Sequence, residues 1–270
     1  MIHKPSENMR RPLLFAHRGA SLELPENSMA AFERAVEIGV DVIESDVHLT
    51  ADGHVVLAHD ACGLRMAGNA QQIADTSLKE IQEWDIGLNH QSPAGQKTQA
   101  NKGHRIPTLR EALDALPHMR WNLDIKVTHP NAWQRVIEVI KERHAEDRVL
   151  LASFSATTLE SIRRADYQGE TGMGERDVAF LACLPSFILR LPFPMRPNGD
   201  RVQVPIQSKP FTFASTWFIQ KCRALGLYVD FWTINDEDEA MSLLDLGVDG
   251  IMTDDPERMK TLLDRAFPKS

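Results

Sequence analysis

Short strand-like runs alternate with helix-like runs along most of this 270-residue chain. Strands that are separated by helices pair in parallel. With the hairpin run at 55–58 set aside, the pattern comprises about eight strand-then-helix units, the size of a (β/α)8 barrel. The sequence therefore predicts an α/β fold of the TIM-barrel type. The strand-like runs are residues 13–17, 42–49, 55–58, 121–125, 149–154, 178–183, 202–206, 228–233 and 250–253.

Two similar four-residue segments support this repeat of strand-then-helix units. Ile38-Gly39-Val40-Asp41 precedes the second strand, and Leu246-Gly247-Val248-Asp249 precedes the last. In each, a glycine ends a helix that feeds an inner strand, and Asn27 is the predicted N-cap of the first of these helices. Because no Gly/Ser-rich linker interrupts the chain, we expect one domain over residues 1–270.

The composition restricts the class of partner and the compartment. A formal net charge of −8 argues against nucleic acid, because phosphate backbones need a basic surface. The first apolar run is too short for a signal peptide, and nothing approaches the roughly 18 apolar residues of a membrane span. Cys62, Cys183 and Cys222 are not in metal spacing and predict reduced thiols. We expect a cytoplasmic protein; the sequence carries no signature of an oligomeric state.

Two histidines stand where predicted strands end. His17 ends the first strand and is followed by Arg18 and Gly19, and His59 ends the hairpin strand. The active face of a barrel lies at the C-terminal ends of its strands, and imidazole gives and takes protons near neutral pH. The planar guanidinium of Arg18 suits a phosphate group. Together with nearby carboxylates, these residues predict cleavage of a phosphate ester.

Carboxylates follow on the next two barrel strands. Glu44 and Asp46 lie two residues apart and point to the same side of their strand, as do Asp124 and Lys126. Neighbouring anionic carboxylates repel each other unless a positive charge lies between them, and a divalent cation with oxygen ligands meets that need. The pattern predicts a cation site that Asp124 can complete, with Lys126 placed to hold a phosphate oxygen.

These residues belong to a set of motifs that resembles the glycerophosphodiester phosphodiesterases. The motifs span nearly the whole chain in the family's order, and their combination is specific, whereas His-Arg-Gly alone is not. The family fold is a (β/α)8 barrel with a small insertion after the second strand, which here corresponds to about residues 60–106, where the pattern is weak. The motifs are His17-Arg18-Gly19, Pro25-Glu26-Asn27-Ser28, Glu44-Ser45-Asp46-Val47, His59-Asp60, Ser153-Phe154, Trp232-Thr233-Ile234-Asn235 and the eight residues from Gly247 to Asp254.

The resemblance implies metal-dependent hydrolysis of glycerophosphodiesters to sn-glycerol 3-phosphate and an alcohol. One position departs from the family, because Asp124 replaces a glutamate that is one methylene longer, which implies altered or weaker metal binding. The implied roles are general acid and base for His17 and His59, ligation of one Mg2+ or Ca2+ for Glu44, Asp46 and Asp124, phosphate binding for Arg18 and Lys126, and a pocket wall for Trp232.

Two alternatives stay open from the sequence. The proline-rich apolar stretch 184–197 is expected to be a lid or barrel plug packed against its own core. The alternative is that it holds an acyl chain or makes weak contact with a membrane surface, which suggests lysophospholipase D-like hydrolysis of lysophospholipids. A barrel that only binds phosphorylated ligands is the other alternative. The intact His17 and His59 pair argues against it, because a binding module does not need two proton carriers.

Overall fold

The computed structural model describes residues 10–126, 132–184 and 198–268. Its centre is a sheet of parallel strands in the spatial order β5-β4-β2-β1-β10-β9-β6. Two further pairings are antiparallel, β3 (Val55–Leu57) with β2, and the hairpin of β7 (Gln207–Ser208) and β8 (Phe211–Thr212). The parallel strands are β1 (Leu13–His17), β2 (Val42–Leu49), β4 (Arg120–Ile125), β5 (Val149–Ala152), β6 (Arg201–Val204), β9 (Tyr228–Phe231) and β10 (Gly250–Thr253).

A very short eighth segment joins the two edges of this sheet. Thr171 forms a parallel bridge with Leu151 of β5, and Gly172 forms one with Arg201 of β6. The Gly172 N–H donates to the Leu151 carbonyl at 2.9 Å, and the Asp200 N–H donates to the Thr171 carbonyl at 2.8 Å. The sheet therefore curls round on itself, and the predicted barrel architecture is confirmed.

The strand predicted at 178–183 is wrong, because this run lies in helix α7 (Glu175–Cys183). The run is apolar throughout, and periodicity does not distinguish a buried strand from a buried helix in so short a stretch. Gly174 precedes the helix, and Glu175 and Asp177 lie in its first turn, where negative charge is favourable. The real barrel segment, at 171–172, is too short to show any pattern.

Most of the helices lie between consecutive barrel strands. Gly39 and Gly247 adopt the left-handed conformation that ends a helix, as the sequence predicts. None of the helices in the described ranges is long and apolar enough to cross a membrane. Besides α7, these helices are α1 (Met29–Ile38), α4 (Leu109–Ala115), α5 (Ala132–Glu142), α6 (Ala156–Arg164), α8 (Thr216–Ala224), α9 (Glu237–Leu246) and α10 (Pro256–Ala266).

The predicted N-cap of α1 is off by one residue. Ser28 caps the helix, accepting a hydrogen bond from the Ala31 N–H at 3.1 Å. Asn27 instead has a positive φ of 55° and turns its amide into the barrel, where it donates to Asp46 Oδ2 at 3.3 Å and accepts from Ser45 Oγ at 2.7 Å. The start of α1 thereby orients Asp46.

The insertion between β2 and β4 has a small core of its own. β3 precedes it, and it contains α2 (Leu64–Ala67), which is too short to show helical periodicity, and α3 (Leu78–Ile81), where the sequence pattern predicts a short helix. Its apolar residues pack together separately from the main core, in a cluster of Val56, Ala58, Ile73, Ile81, Trp84, Ile86 and Ile106. This cluster holds β3 against β2, so that His59 follows at the edge of the barrel mouth.

The barrel interior contains a buried ion pair. The guanidinium of Arg201 donates to both oxygens of Asp230, at 2.7 and 2.5 Å. Arg201 is 4% exposed and Asp230 is 0% exposed, so water screens neither charge. Gln203 extends this pair by donating to Asp230 Oδ2 at 3.3 Å and accepting from Asn122 at 3.3 Å. Polar contacts thus connect the barrel interior with the strands that carry the carboxylates.

Candidate active site

Strand register brings most of the predicted site residues together. His17 is paired with Glu44 across β1 and β2, and Asp46 is paired with Asp124 across β2 and β4. Because paired residues of neighbouring parallel strands point to the same face, their side chains converge at the C-terminal ends of the strands. They border a pocket of about 560 Å³ that is also lined by Arg18, His59, Lys126 and Trp232.

His17 is anchored by a carboxylate from the far end of the chain. Its Nδ1 lies 2.6 Å from Asp254 Oδ1. A carboxylate only accepts hydrogen bonds, so Nδ1 donates the proton and Nε2, 3.9 Å from Glu44 Oε2, is left for chemistry. Burial lowers the pKa of His17, but the negative charge of Glu44 and the Asp254 hydrogen bond outweigh it and raise the pKa above 6.5.

His59 has the same arrangement with a neighbour in sequence. Its Nδ1 lies 2.7 Å from Asp60 Oδ1, so that its Nε2 is also free of that contact. The backbone carbonyl of His59 is fixed by His48, whose Nε2 lies 3.1 Å away. The two rings therefore border one pocket with the same nitrogen anchored, and Nε2 of each remains available for proton exchange.

Asp254 and Asp60 are candidate functional residues to which the sequence analysis assigned no role. Both occur in the quoted motifs, Asp60 directly after His59 and Asp254 at the end of the last motif. The His-Asp pairing of 59 and 60 is visible in the sequence. The pairing of His17 with Asp254 depends on β1 lying beside β10 and has no local signal.

Two cations of the chain lie among the three carboxylates. Lys126 Nζ contacts Asp46 Oδ1 at 2.8 Å and Asp124 Oδ2 at 2.6 Å, and Arg18 Nε lies 3.4 Å from Asp46 Oδ2. Arg18 itself has a positive φ of 59°, and its N–H donates to Glu44 Oε2 at 3.1 Å. Both predicted phosphate-binding residues are thus at the site and are engaged by its acids.

Burial and mutual repulsion set the charge of these carboxylates. Burial, together with the charge of Asp46, raises the pKa of Glu44 to about 8. Burial likewise raises the pKa of Asp124 above its ordinary value, although Lys126 opposes this. Burial alone would raise the pKa of Asp46 too, but Lys126 and Arg18 outweigh it and lower the pKa. Burial and the neighbouring carboxylates thus favour the protonated form of Glu44, whereas the two cations keep Asp46 ionised.

The donor set of this cluster fits a divalent cation. Carboxylate oxygens are the donors that Mg2+ and Ca2+ take, and the buried Oδ1 of Asn122, beside Glu44 in the sheet, has no hydrogen-bond partner among the described residues. In the observed side-chain positions, no three His, Cys, Asp or Glu residues of the described ranges are arranged to hold a metal ion. Lys126 Nζ lies between two of the three carboxylates, Asp46 and Asp124.

The other half of the pocket is largely apolar. Trp232 stands in this wall with Phe154, their ring centroids 6.3 Å apart and their planes at 77°. Phe154 also lies near the charged half of the pocket, since Lys126 Nζ is 5.8 Å from the centroid of the Phe154 ring. The apolar lining comprises Phe154, Met173, Val178, Ala179, Phe211, Phe213 and Trp232. Except for residue 184, the proline-rich stretch 184–197 lies outside the described residues.

Comparisons with known proteins agree on one family. A sequence model of the Glycerophosphoryl diester phosphodiesterase family matches residues 17–258. A glycerophosphodiester phosphodiesterase from Caldanaerobacter subterraneus subsp. tengcongensis is 32% identical over 259 residues, 94% of this chain and 98% of the relative. A lysophospholipase D from Rattus norvegicus is 30% identical over 291 residues, 97% of this chain and 90% of the relative.

Solved structures show the same fold. A phosphodiesterase from Oleispira antarctica, in complex with the product sn-glycerol-3-phosphate, superposes with a TM-score of 0.75 at 25% identity over 94% of this chain and 97% of that one. A glycerophosphodiester phosphodiesterase from Thermotoga maritima superposes with a TM-score of 0.71 at 23% identity over 94% of this chain and 99% of that one.

Proposed function

Because this chain belongs to the glycerophosphoryl diester phosphodiesterase family, a family of phosphoric diester hydrolases, we propose that it hydrolyses glycerophosphodiesters to sn-glycerol 3-phosphate and an alcohol. One observation carries the proposal: His17 and His59 border the same pocket, and each has Nδ1 fixed by an aspartate. Fixing Nδ1 as a donor makes Nε2 the atom that exchanges protons, and it fixes the ring orientation as well.

In this mechanism the two imidazoles begin in opposite protonation states. The neutral ring accepts at Nε2 the proton of the attacking hydroxyl, which belongs to water or to the glycerol 2-hydroxyl. The cationic ring donates its Nε2 proton to the oxygen of the leaving alcohol as the P–O bond breaks. With the glycerol 2-hydroxyl as attacker, the cyclic phosphate would then be opened by water, with the two rings in exchanged roles.

Arg18 and Lys126 bind the phosphoryl oxygens in this proposal. For the substrate to reach them, their contacts with Asp46 and Asp124 must loosen. Glu44, Asp46 and Asp124 would hold a divalent cation, Mg2+ or Ca2+. When bound, it supplies positive charge that polarises the phosphoryl group. Trp232 forms a wall of the pocket, beside either the leaving group or the glycerol substituent.

The direct test is hydrolysis of glycerophosphocholine, followed by enzymatic detection of sn-glycerol 3-phosphate with divalent cation supplied. We expect His17→Ala and His59→Ala each to lower kcat about 100-fold or more. His54→Ala is the matched control, because His54 also pairs with an aspartate, Asp52 at 3.3 Å, but lies on the hairpin turn outside the pocket. Near-normal turnover by either pocket variant would refute the acid–base pair.

The apolar half of the pocket favours lysophospholipids as a second candidate substrate class. A glycerophosphate group needs only the charged half, whereas Phe154, Phe211 and Trp232 offer apolar surface that an acyl chain would cover. Comparing kcat/KM for lysophosphatidylcholine and glycerophosphocholine decides between the two. Calorimetric binding of both compounds without turnover would instead favour the barrel that only binds phosphorylated ligands.

A further inference from the structure

A side chain of the insertion reaches both halves of the charged site. Arg65 lies in α2, and its Nε donates to Asp60 Oδ2 at 2.6 Å, while Asp60 Oδ1 holds His59 Nδ1. The remaining nitrogens of the same guanidinium donate to Glu26, Nη1 to Oε2 at 2.8 Å and Nη2 to Oε1 at 2.6 Å. One forked cation therefore joins two carboxylates that belong to different parts of the barrel mouth.

Glu26 links Arg65 to Arg18, the proposed phosphate-binding arginine. Its Oε1 accepts from Arg18 Nη1 at 3.0 Å, and Arg18 Nε faces Asp46 Oδ2 at 3.4 Å. The ion pairs thus run from His59 through Asp60, Arg65 and Glu26 to Arg18. Removal of Arg65 would leave the negative charges of Asp60 and Glu26 without the cation they share.

Ordinary surface ion pairs contribute little to stability, and the Arg65 side chain is 46% exposed. Its geometry nevertheless differs from that of an isolated surface pair, since it binds Glu26 through two parallel hydrogen bonds and Glu26 is only 16% exposed. Burial alone would raise the pKa of Glu26, yet the contact with Arg65 and the charge of Arg18 lower it. Such a bridge controls the orientation of the site residues rather than the stability of the fold.

We propose that Arg65 is a positioning residue for the reaction described above. It holds Asp60 against His59 Nδ1, so that Nε2 of His59 faces the pocket, and it holds Glu26 against Arg18, so that the Arg18 guanidinium faces the phosphate position. The insertion thereby supplies part of the active-site support, because Arg65 acts through Asp60 and Glu26 and does not itself need to touch the substrate. The inference rests on the proposed function for its kinetic consequences only.

The kinetic test compares Arg65→Met with a matched control, Arg105→Met. Arg105 comes from the same insertion, is 43% exposed and pairs with a single glutamate, Glu111, at 2.7 Å, away from the pocket. We expect Arg65→Met to lower kcat on glycerophosphocholine about 10- to 100-fold, as is typical when the partner of a site residue is removed, and Arg105→Met to stay within twofold of wild type. The two variants should have similar melting temperatures.

A double-mutant cycle separates positioning from a general structural effect. In an Asp60→Asn background, Arg65→Met should lower kcat by a factor at least threefold smaller than in the wild-type background, because the route through Asp60 is already broken and only the route through Glu26 remains. Equal losses in both backgrounds, or an Arg65→Met kcat within threefold of wild type, would overturn the proposal. If Arg65→Met is too unstable to assay, Arg65→Lys decides, since a single ammonium does not reproduce the fork; a wild-type kcat in that variant also overturns it.

A second measurement does not depend on activity. The Nδ1 protons of His17 and His59 are each hydrogen-bonded to a carboxylate and should give separate imidazole resonances in ¹H–¹⁵N NMR spectra, assigned by their loss in His17→Ala and His59→Ala. Arg65→Met should shift or broaden the His59 signal and leave that of His17 in place. An unchanged His59 signal refutes the positioning role, whereas an inactive wild type with the expected shift refutes only the proposed function.

Discussion

Replacement of Asp254 by asparagine tests whether the protonation pattern of His17 is set by its surroundings. Every side-chain group that faces the Asp254 carboxylate is a donor. Oδ1 accepts from His17 Nδ1 at 2.6 Å and from Ser21 Oγ at 3.2 Å, and Oδ2 accepts from the Asn235 amide at 2.8 Å. The orientation of Asn235 is itself fixed, because its Oδ1 accepts from the Asp254 N–H at 2.9 Å and from Thr253 Oγ1 at 3.0 Å.

The variant Asp254→Asn must therefore present an NH2 group to a donor. If the new NH2 faces His17, Nδ1 becomes the acceptor and the ring is held neutral with its proton on Nε2. Such a ring neither accepts a proton from the attacking hydroxyl nor carries the second proton that a cationic acid needs. If it faces Asn235, two NH2 groups are opposed. Loss of correct acid–base function corresponds to about 10²- to 10⁴-fold in kcat, or about 2.7 to 5.4 kcal/mol of transition-state stabilisation.

A second substitution should recover part of this loss. In the double variant Asp254→Asn with Asn235→Asp, the new carboxylate at position 235 accepts from the new amide, whose oxygen then faces His17 Nδ1. Steady-state kinetics on glycerophosphocholine should show the double variant at least tenfold faster than Asp254→Asn, at similar melting temperatures. A single variant within tenfold of wild type, or a double variant no faster than the single one, would refute the reasoning.

Three further predictions concern charge and stability. The pKa of Glu44 in the folded protein, about 8, lies above the unfolded value near 4.5, so that the stability present below pH 4.5 is lost as the pH rises toward 8. In protein treated with EDTA, the melting temperature should therefore fall over that range, and it should fall less in Glu44→Gln. Activity should be absent from the EDTA-treated protein until Mg2+ or Ca2+ is returned. Asp124→Glu should tighten cation binding in calorimetric titrations, because the longer side chain reaches further past Lys126; unchanged affinity would contradict this. Arg201→Met should lower the free energy of unfolding in urea by about 3–5 kcal/mol, because it leaves the buried Asp230 charge unpaired; a loss no larger than that of the exposed Arg258→Met would exclude this explanation.

Side chains on regular strands were the predictable part of the candidate site. Alternation on β2 and β4 assigns Glu44, Asp46 and Asp124 to one face without any knowledge of their neighbours. The parallel pairing implied by the helices between strands then places that face beside His17 at the barrel mouth. The observed strand register agrees with both expectations, because Asp46 and Asp124 are directly paired across β2 and β4.

Other parts of the fold could not be predicted, or were predicted wrongly, because short elements carry little periodicity. Two residues, Thr171 and Gly172, complete the barrel where six apolar residues at 178–183 predicted a strand. Similarly, α2 is four residues long, so nothing in the local pattern shows that Arg65 turns toward Asp60 and Glu26. These contacts depend on how the insertion packs, which is a property of its separate apolar cluster.

In the proposed mechanism, the two histidines are oriented for proton transfer by different parts of the fold. His17 takes its aspartate from a position 237 residues away, so its orientation requires β10 to lie against β1 and hence the barrel to be formed. His59 takes its aspartate from the next residue, and its orientation depends instead on the insertion that supplies Arg65. Local opening of the insertion would therefore disable one proton carrier while the barrel stays folded. With increasing denaturant, activity should consequently be lost before the His17 Nδ1 resonance disappears. Loss of activity and of this resonance at the same denaturant concentration would show that the barrel and the insertion unfold as one unit.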